Sequence, residues 1–261
     1  MTIINHELKR GGISLIIWTV SIAFLIVTCV FMFPEMKNEM DNVSDMFASM
    51  GSFSEAFGMN ELNFGTLIGF YSVECGNILG LGGAFFASLI AVSTLSKEEK
   101  EHTAEFLLSH PVSRNRIITG KLIAVLIQIV IMNVIVYGAS LGSIALIGEE
   151  IPFKEISLLH LSFFIMQIEL GGICFAVSAF LKRGSIGVGL GIAILMYFLN
   201  IISNISDSAD FLKYITPFGY ANGADIVRNL SLDTTLVLLG ISYSIIAVII
   251  AYIKYNKKDI S

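Results

Sequence analysis

Six apolar stretches, each long enough to cross a lipid bilayer, constrain this chain more than any other feature. Crossing about 30 Å of hydrocarbon takes roughly 20 helical residues, and such stretches lie at 12–33, 67–95, 122–147, 158–181, 185–202 and 235–253. Charged residues make up only 14% of the chain, whereas a soluble domain carries roughly a quarter. The sequence therefore predicts an all-α polytopic membrane protein with six transmembrane helices, in a single domain over residues 1–261.

The distribution of lysine and arginine predicts which side of the membrane each loop occupies, because short cytoplasmic loops collect these residues. The side that holds both termini carries Lys9, Arg10, Lys97, Lys100, Arg114, Arg116, Lys121, Lys182, Arg183, Lys254, Lys257 and Lys258. The other side carries Lys37, Lys154, Lys213 and Arg228. We therefore expect cytoplasmic N and C termini, with the segments 34–66 and 203–234 outside the cell and the loop 96–120 inside.

Motifs for catalysis and nucleotide binding are absent from the sequence. Gly120 and Lys121 are followed by leucine, so they do not form a Walker phosphate loop, and no zinc-protease or nucleophile-elbow motif occurs. The three cysteines fall inside apolar stretches and the four histidines at or beyond the predicted membrane edges. We expect no catalytic residue, no metal, no cofactor and no nucleic-acid partner, so that energy for uphill transport must come from a partner or an ion gradient.

The inner loop 96–120 has the most distinctive local pattern. Ser96 with Glu99 fits a capping box that starts a helix, and Pro111 should end it. Between them, Phe106, Leu107 and Leu108 form an apolar knob among charged residues. Such a knob suits docking into a groove on a soluble partner. The alternative is a solvated loop whose leucines tuck under the helix bundle, and the residues alone leave both readings open.

The same loop resembles the signature of ABC-2 type transporter permeases. The matching residues are Glu98, Thr103, Glu105, Leu107, Leu108, Pro111, Val112, Ser113, Arg114, Gly120 and Lys121, with His102 where the family usually has glycine. Two further segments agree with the family: Pro217 with 224–226 before the last apolar stretch, and the basic ending 255–260. The resemblance extends over nearly the whole chain, and the inner loop is its most specific part.

The resemblance implies an assembly and a role for the inner loop. Six helices would form one half of an exporter in a bacterial cell membrane, paired with a second permease chain, identical or paralogous. Two separate ABC ATPase subunits would bind ATP and Mg²⁺. The inner loop would be the coupling helix that contacts an ATPase, through Glu98, Thr103, Glu105, Phe106, Leu107, Leu108, Pro111 and Arg114.

Two acidic residues, Glu74 and Glu169, lie within predicted membrane spans. At 1.5 Å per residue, Glu169 is about 20 Å from the cytoplasmic end of its helix, whereas Glu74 approaches the outer interface. A charged group at mid-bilayer costs several kcal/mol, so it should face the bundle interior, pair or be protonated. Either acid could contact substrate or a proton, or could be a hydrogen-bonded structural group.

Three functional classes remain open at this point. The first is the permease subunit of an ATP-driven ABC exporter, and its cargo could be an amphiphilic toxin, a peptide, a lipid or an ion. The second is a proton-coupled secondary transporter that uses Glu169, for which a docking knob would have no purpose. The third is a membrane scaffold or sensor that transports nothing.

Overall fold

The computed structural model of the chain describes residues 2–37, 50–56, 62–97, 113–181 and 185–258. All regular structure in these ranges is helical. The helices are α1 (Thr2–Met36), α2 (Ser52–Ala56), α3 (Leu67–Val92), α4 (Arg114–Leu146), α5 (Phe153–Phe180), α6 (Ile186–Ile205), α7 (Gly223–Asn229) and α8 (Thr234–Lys257). Within α3, residues Tyr71–Cys75 form a π-helical turn, and a 3₁₀ helix covers Asp207–Tyr214.

Six of these helices, namely α1, α3, α4, α5, α6 and α8, are long and apolar enough to cross a membrane. The predicted six-helix architecture is therefore confirmed. Three helices begin earlier than the apolar stretches indicated, at Thr2, Arg114 and Phe153. Hydropathy marks only the part of a helix that lies in lipid, whereas each of these helices begins in a more polar segment.

Side-chain caps fix where two of the spanning helices begin. Ser113 accepts a hydrogen bond from the backbone N–H of Arg116 at the start of α4, and Asp233 accepts from Thr235 and Leu236 at the start of α8. These side chains satisfy donors that the first turn of a helix leaves unpaired. The inner loop predicted at 96–120 therefore ends earlier than expected, because residues 114–120 already belong to α4.

The bundle has two chemically different ends. At one end, Lys121 contacts Glu7, and the Lys258 ammonium donates to the carbonyl of Leu181. We name this the basic end. At the opposite end, Lys37 pairs with Glu149 at 2.6 Å. The distribution of basic residues predicts that the basic end faces the cytoplasm.

Helices α3 and α5 form the centre of the bundle, and α1, α6 and α8 present most of their surface outward. The outward surface consists largely of isoleucine, leucine and phenylalanine side chains, as expected where lipid is the solvent. Two glycines let α5 and α8 approach closely. A Cβ atom at Gly172 would lie 2.1 Å from the Ser244 hydroxyl, and one at Gly240 would lie 2.0 Å from a Glu169 carboxylate oxygen.

The segment between α6 and α8 folds back into the bundle at the end opposite the basic end. Thr216 donates a hydrogen bond to the carbonyl of Met196 at 2.7 Å, and Phe218 and Tyr220 are buried. The preceding 3₁₀ helix stays at the surface, where a hydrogen bond to Asp210 raises the pKa of Lys213. This segment therefore places an aromatic hydroxyl, that of Tyr220, inside the bundle.

Candidate functional site

The predicted coupling residues divide between described and undescribed parts of the chain. Glu98, Thr103, Glu105, Phe106, Leu107, Leu108 and Pro111 lie outside the described residues. Arg114 is described, and so are the two segments from which the loop leaves and to which it returns. The structure therefore shows what the two ends of the inner loop are attached to.

Arg114 binds the end of the last helix. One terminal guanidinium nitrogen, Nη1, donates to the carbonyls of Tyr255, Asn256 and Lys258 at 3.2, 3.1 and 2.8 Å. The last carbonyls of a helix have no partner within the helix and carry partial negative charge. A cation there therefore both donates hydrogen bonds to these carbonyls and is attracted by their charge. The resemblance implied that Arg114 contacts an ATPase, and this prediction stays untested; within the chain its guanidinium binds the end of α8.

Two neighbours of Arg114 extend this contact between α4 and α8. The Asn256 amide donates to Asn115 at 2.6 Å, and the hydroxyls of Thr119 and Tyr252 are 2.7 Å apart. Residues 114–119 are thus attached to the last turns of α8. We call the contacts of Arg114, Asn115 and Thr119 with α8 the C-terminal latch.

Gly120 and Lys121 form a second attachment at the basic end. The Lys121 side chain is 1% exposed, and its ammonium donates to the Glu7 carboxylate at 2.8 Å and to the carbonyl of Thr94 at 2.9 Å. A Cβ atom at Gly120 would lie 3.0 Å from the Ile3 side chain, so glycine lets α1 approach α4 closely. Sequence reasoning missed Glu7, although an acid in a basic N-terminal segment indicates an ion pair.

Both flanks of the inner loop are therefore held by the bundle. On the entry side, Thr94 is tied to Lys121, and Ser96 is buried. On the exit side, the C-terminal latch joins α4 to α8. A force applied to the loop would reach α1, α3, α4 and α8 together, because each is joined to a loop flank by a direct hydrogen bond or ion pair.

Glu169 is buried inside the bundle, 1% exposed, as expected of an acid in a membrane span that faces the bundle interior. The Tyr220 hydroxyl donates to its carboxylate at 2.8 Å, and Gly240 of α8 lies against it. Glu74 lies apart from this pair, half-buried in the π-helical turn of α3. Tyr220 was not predicted, because its position depends on how the segment between α6 and α8 folds back.

A second buried polar cluster links α3, α4 and α5 through Tyr71, Ser140 and His160. Ser140 donates to the carbonyl of Val136 at 2.9 Å, so its oxygen accepts from the Tyr71 hydroxyl at 2.7 Å. The Tyr71 oxygen, 2.8 Å from His160 Nε2, then accepts from that nitrogen, which therefore carries a proton. His160, which was expected at or beyond a membrane edge, lies within α5, which begins at Phe153, and is 6% exposed.

Polar residues also join helices at mid-bundle and line a cleft near the end opposite the basic end. Asn133 donates to Gln167 at 2.6 Å, which connects α4 to α5. The cleft has a volume of about 60 Å³ and carries four amide side chains, from Asn77, Asn200, Asn204 and Asn222. This volume suits a few water molecules rather than a drug-sized ligand, which needs roughly 300 Å³ or more.

Comparison with known proteins agrees with this architecture. The profile of a family described as ABC-2 family transporter protein matches residues 1–260. A relative from Bacillus subtilis (strain 168), described as uncharacterized protein YhcI, is 23% identical over 216 residues, which cover 73% of this chain and 68% of the relative. The resemblance inferred from the inner loop is thus confirmed over the whole length of the chain.

Proposed function

The chain belongs to the ABC-2 family of transporter proteins, and on that basis we propose that it is the membrane subunit of an ATP-driven exporter. Six membrane-spanning helices make it a multi-pass membrane protein with a transport role. In this proposal, two such chains form the path for the cargo, and separate ATPase subunits bind ATP and Mg²⁺. The proposed location is the plasma membrane of a bacterium.

One observation carries the proposal: the segment 98–112 is attached to the bundle on both flanks. Lys121 bonds to Glu7 and to Thr94, and Arg114 bonds to the end of α8. A loop that needed only to connect two helices would not require such attachments. A loop that is displaced by an ATPase would require them, because its movement has to be transmitted to several helices together.

The family also supports separate ATPase partners, since its members are the transport subunits of ABC systems. The chain itself contains no Walker phosphate loop. The test is purification of the tagged full-length chain from its native membrane, followed by identification of the co-purifying proteins. We expect a protein with a Walker phosphate loop, together with ATP hydrolysis in the same fraction. A pure permease that still transports would contradict the proposal.

A proton-coupled transporter is the second candidate, favoured by the buried pair of Glu169 and Tyr220. A buried carboxyl group held by a hydroxyl from a segment at the membrane edge could take up and release a proton as that segment moves. This candidate requires transport in the absence of any ATPase. It also leaves the attachments of the inner loop without a purpose, so we rank it second.

A further inference from the structure

A cavity of about 340 Å³ lies at the basic end between α1, α3 and α4, and neither Glu169 nor Tyr220 lines it. Its polar wall is formed by Glu7, Arg10, Lys97 and Lys121. Three cationic side chains and one anionic side chain give these four residues a net charge of +2. The cavity is therefore a place where an anionic group would be stabilised.

The cavity becomes apolar with depth. Along α1 its lining runs from Glu7 to Trp18, and eleven residues of helix span about 16 Å. Leu89 and Ile90 of α3 form an apolar wall. Gln128 lines the cavity from α4, and its Oε1 has no hydrogen-bond partner among the described residues. A charged entrance, a polar middle and an apolar interior match the order of groups in a phospholipid.

We propose that this cavity binds a phospholipid with an anionic headgroup from the leaflet at the basic end. The phosphate lies beside Arg10, Lys97 and Lys121, and an acyl chain lies along Trp18. Basic pockets between membrane helices on the cytoplasmic side are suited to anionic headgroups. The three basic residues also have interactions within the chain, so the phosphate joins an existing charged cluster.

The shape of the cavity favours a lipid over a soluble anion. A free phosphate ion would occupy only the charged entrance and would leave the apolar interior empty. A membrane phospholipid fills both parts, and it is already concentrated at this depth of the bilayer. The proposal does not depend on an ATPase, because it concerns only residues of this chain.

Trp18 provides the measurement, because it is the single tryptophan of the chain and lines the cavity. The full-length protein is placed in nanodiscs of phosphatidylcholine that contain a minor fraction of brominated lipid, which quenches tryptophan fluorescence on contact. Brominated phosphatidylglycerol is compared with brominated phosphatidylcholine at the same fraction. We expect stronger quenching by the anionic lipid. Equal quenching by both lipids would overturn the proposal.

Matched variants test which charges are responsible. Arg10→Gln and Lys97→Gln should each lower the preference for the anionic lipid by about fivefold, the effect of one basic residue near a membrane surface. Lys9→Gln removes the same charge from an exposed neighbouring position outside the cavity, and it should change little. A loss of equal size in Lys9→Gln would show a general surface effect and would overturn the assignment.

The soluble anion is tested in the same system. Inorganic phosphate is added to nanodiscs that contain brominated phosphatidylglycerol. We expect no recovery of Trp18 fluorescence beyond that caused by sodium chloride of equal ionic strength. Full recovery would show that the cavity takes a free anion and would overturn the lipid assignment. Arg10 lies on α1, whereas Lys97 follows the end of α3, so the Arg10→Gln and Lys97→Gln variants test the assignment independently of each other.

Discussion

Removing the ammonium group of Lys121 should destabilise the basic end more than any other single charge change there. The Lys121 and Glu7 side chains are 1% and 10% exposed and 2.8 Å apart. Breaking a buried pair by removing one partner costs about 3–5 kcal/mol, because the other charge stays buried. Lys121→Met should therefore lower the free energy of unfolding by about 3 kcal/mol, the lower end of that range, because the Glu7 side chain is 10% exposed and not fully buried.

A double-mutant cycle separates the ion pair from the packing of the two side chains. Glu7→Gln keeps an oxygen acceptor for the Lys121 ammonium, so we expect a loss of only about 1.5 kcal/mol. In the double variant Glu7→Gln with Lys121→Met, no unpaired charge remains. The coupling free energy between the two positions should then be about 2 kcal/mol or more.

The assay is unfolding of the purified protein in mixed detergent and sodium dodecyl sulfate micelles. Trp18 lies on the same helix as Glu7 and reports separation of α1 from α4 by fluorescence. Effects of the two substitutions that simply add would refute the reasoning, because an ion pair that matters must give coupled losses. Arg116 is exposed, so Arg116→Gln is the matched control, and it should not change the sodium dodecyl sulfate fraction at which the protein unfolds.

Three further predictions follow from other parts of the chain. Single cysteines at Asp45 and Asp225, in a background without the native cysteines, should react with impermeant thiol reagents added outside the cell. Cysteines at Asn115 and Asn256 should react only after permeabilisation. Labelling of Asn115 from outside would show that the predicted orientation is reversed. If Glu169 contacts the cargo or carries a proton, Glu169→Gln should preserve the abundance of the protein and change transport or its pH dependence. Tyr220→Phe removes only the hydrogen bond to Glu169 and is the comparison variant. Unchanged transport at normal abundance would show that Glu169 has a structural role. Arg114→Gln should speed amide hydrogen exchange in the last turn of α8 by about tenfold. The reason is that a cation at a helix C terminus and its hydrogen bonds contribute roughly 1–2 kcal/mol. Unchanged exchange would show that the C-terminal latch does not stabilise the end of α8.

The six helices could be predicted from the sequence because lipid imposes a simple rule. Backbone groups in hydrocarbon must bond within their own segment, so each crossing is a long apolar helix. The burial of Glu169 followed from the same rule, since a carboxyl group within a membrane span is expected to face the bundle interior and not lipid. The polar beginnings of α1, α4 and α5 were missed, because hydropathy does not report helix outside lipid.

The partners of the polar groups could not be predicted in the same way. Tyr220 bonds to Glu169 across 51 positions of sequence, and no local pattern encodes how the segment between α6 and α8 folds back. Arg114 was identified from the signature, but the signature does not show which way its side chain turns. Glu7 and Lys121 are separated by 114 positions, and only the packing of α1 against α4 brings them together.

The central claim is that the inner loop docks onto an ATPase, and its apolar knob is the place to test it. Truncating both Leu107 and Leu108 to alanine removes much of two side chains whose burial is worth roughly 1.5–3 kcal/mol each. Docking should therefore weaken by about tenfold or more. Charge changes at Glu98 should have less effect, because exposed ion pairs contribute only about 0–1 kcal/mol.

The decisive measurement is co-purification of the ATPase with the wild-type chain and with the double alanine variant, together with ATP hydrolysis by each complex. Leu146→Ala, the same substitution at a single exposed leucine at the other end of α4, is the control. We predict that the double variant folds normally but loses both the ATPase and its hydrolysis, while the control keeps both. A double variant that retains the ATPase and its activity would contradict the account, because the loop would then be only a connector.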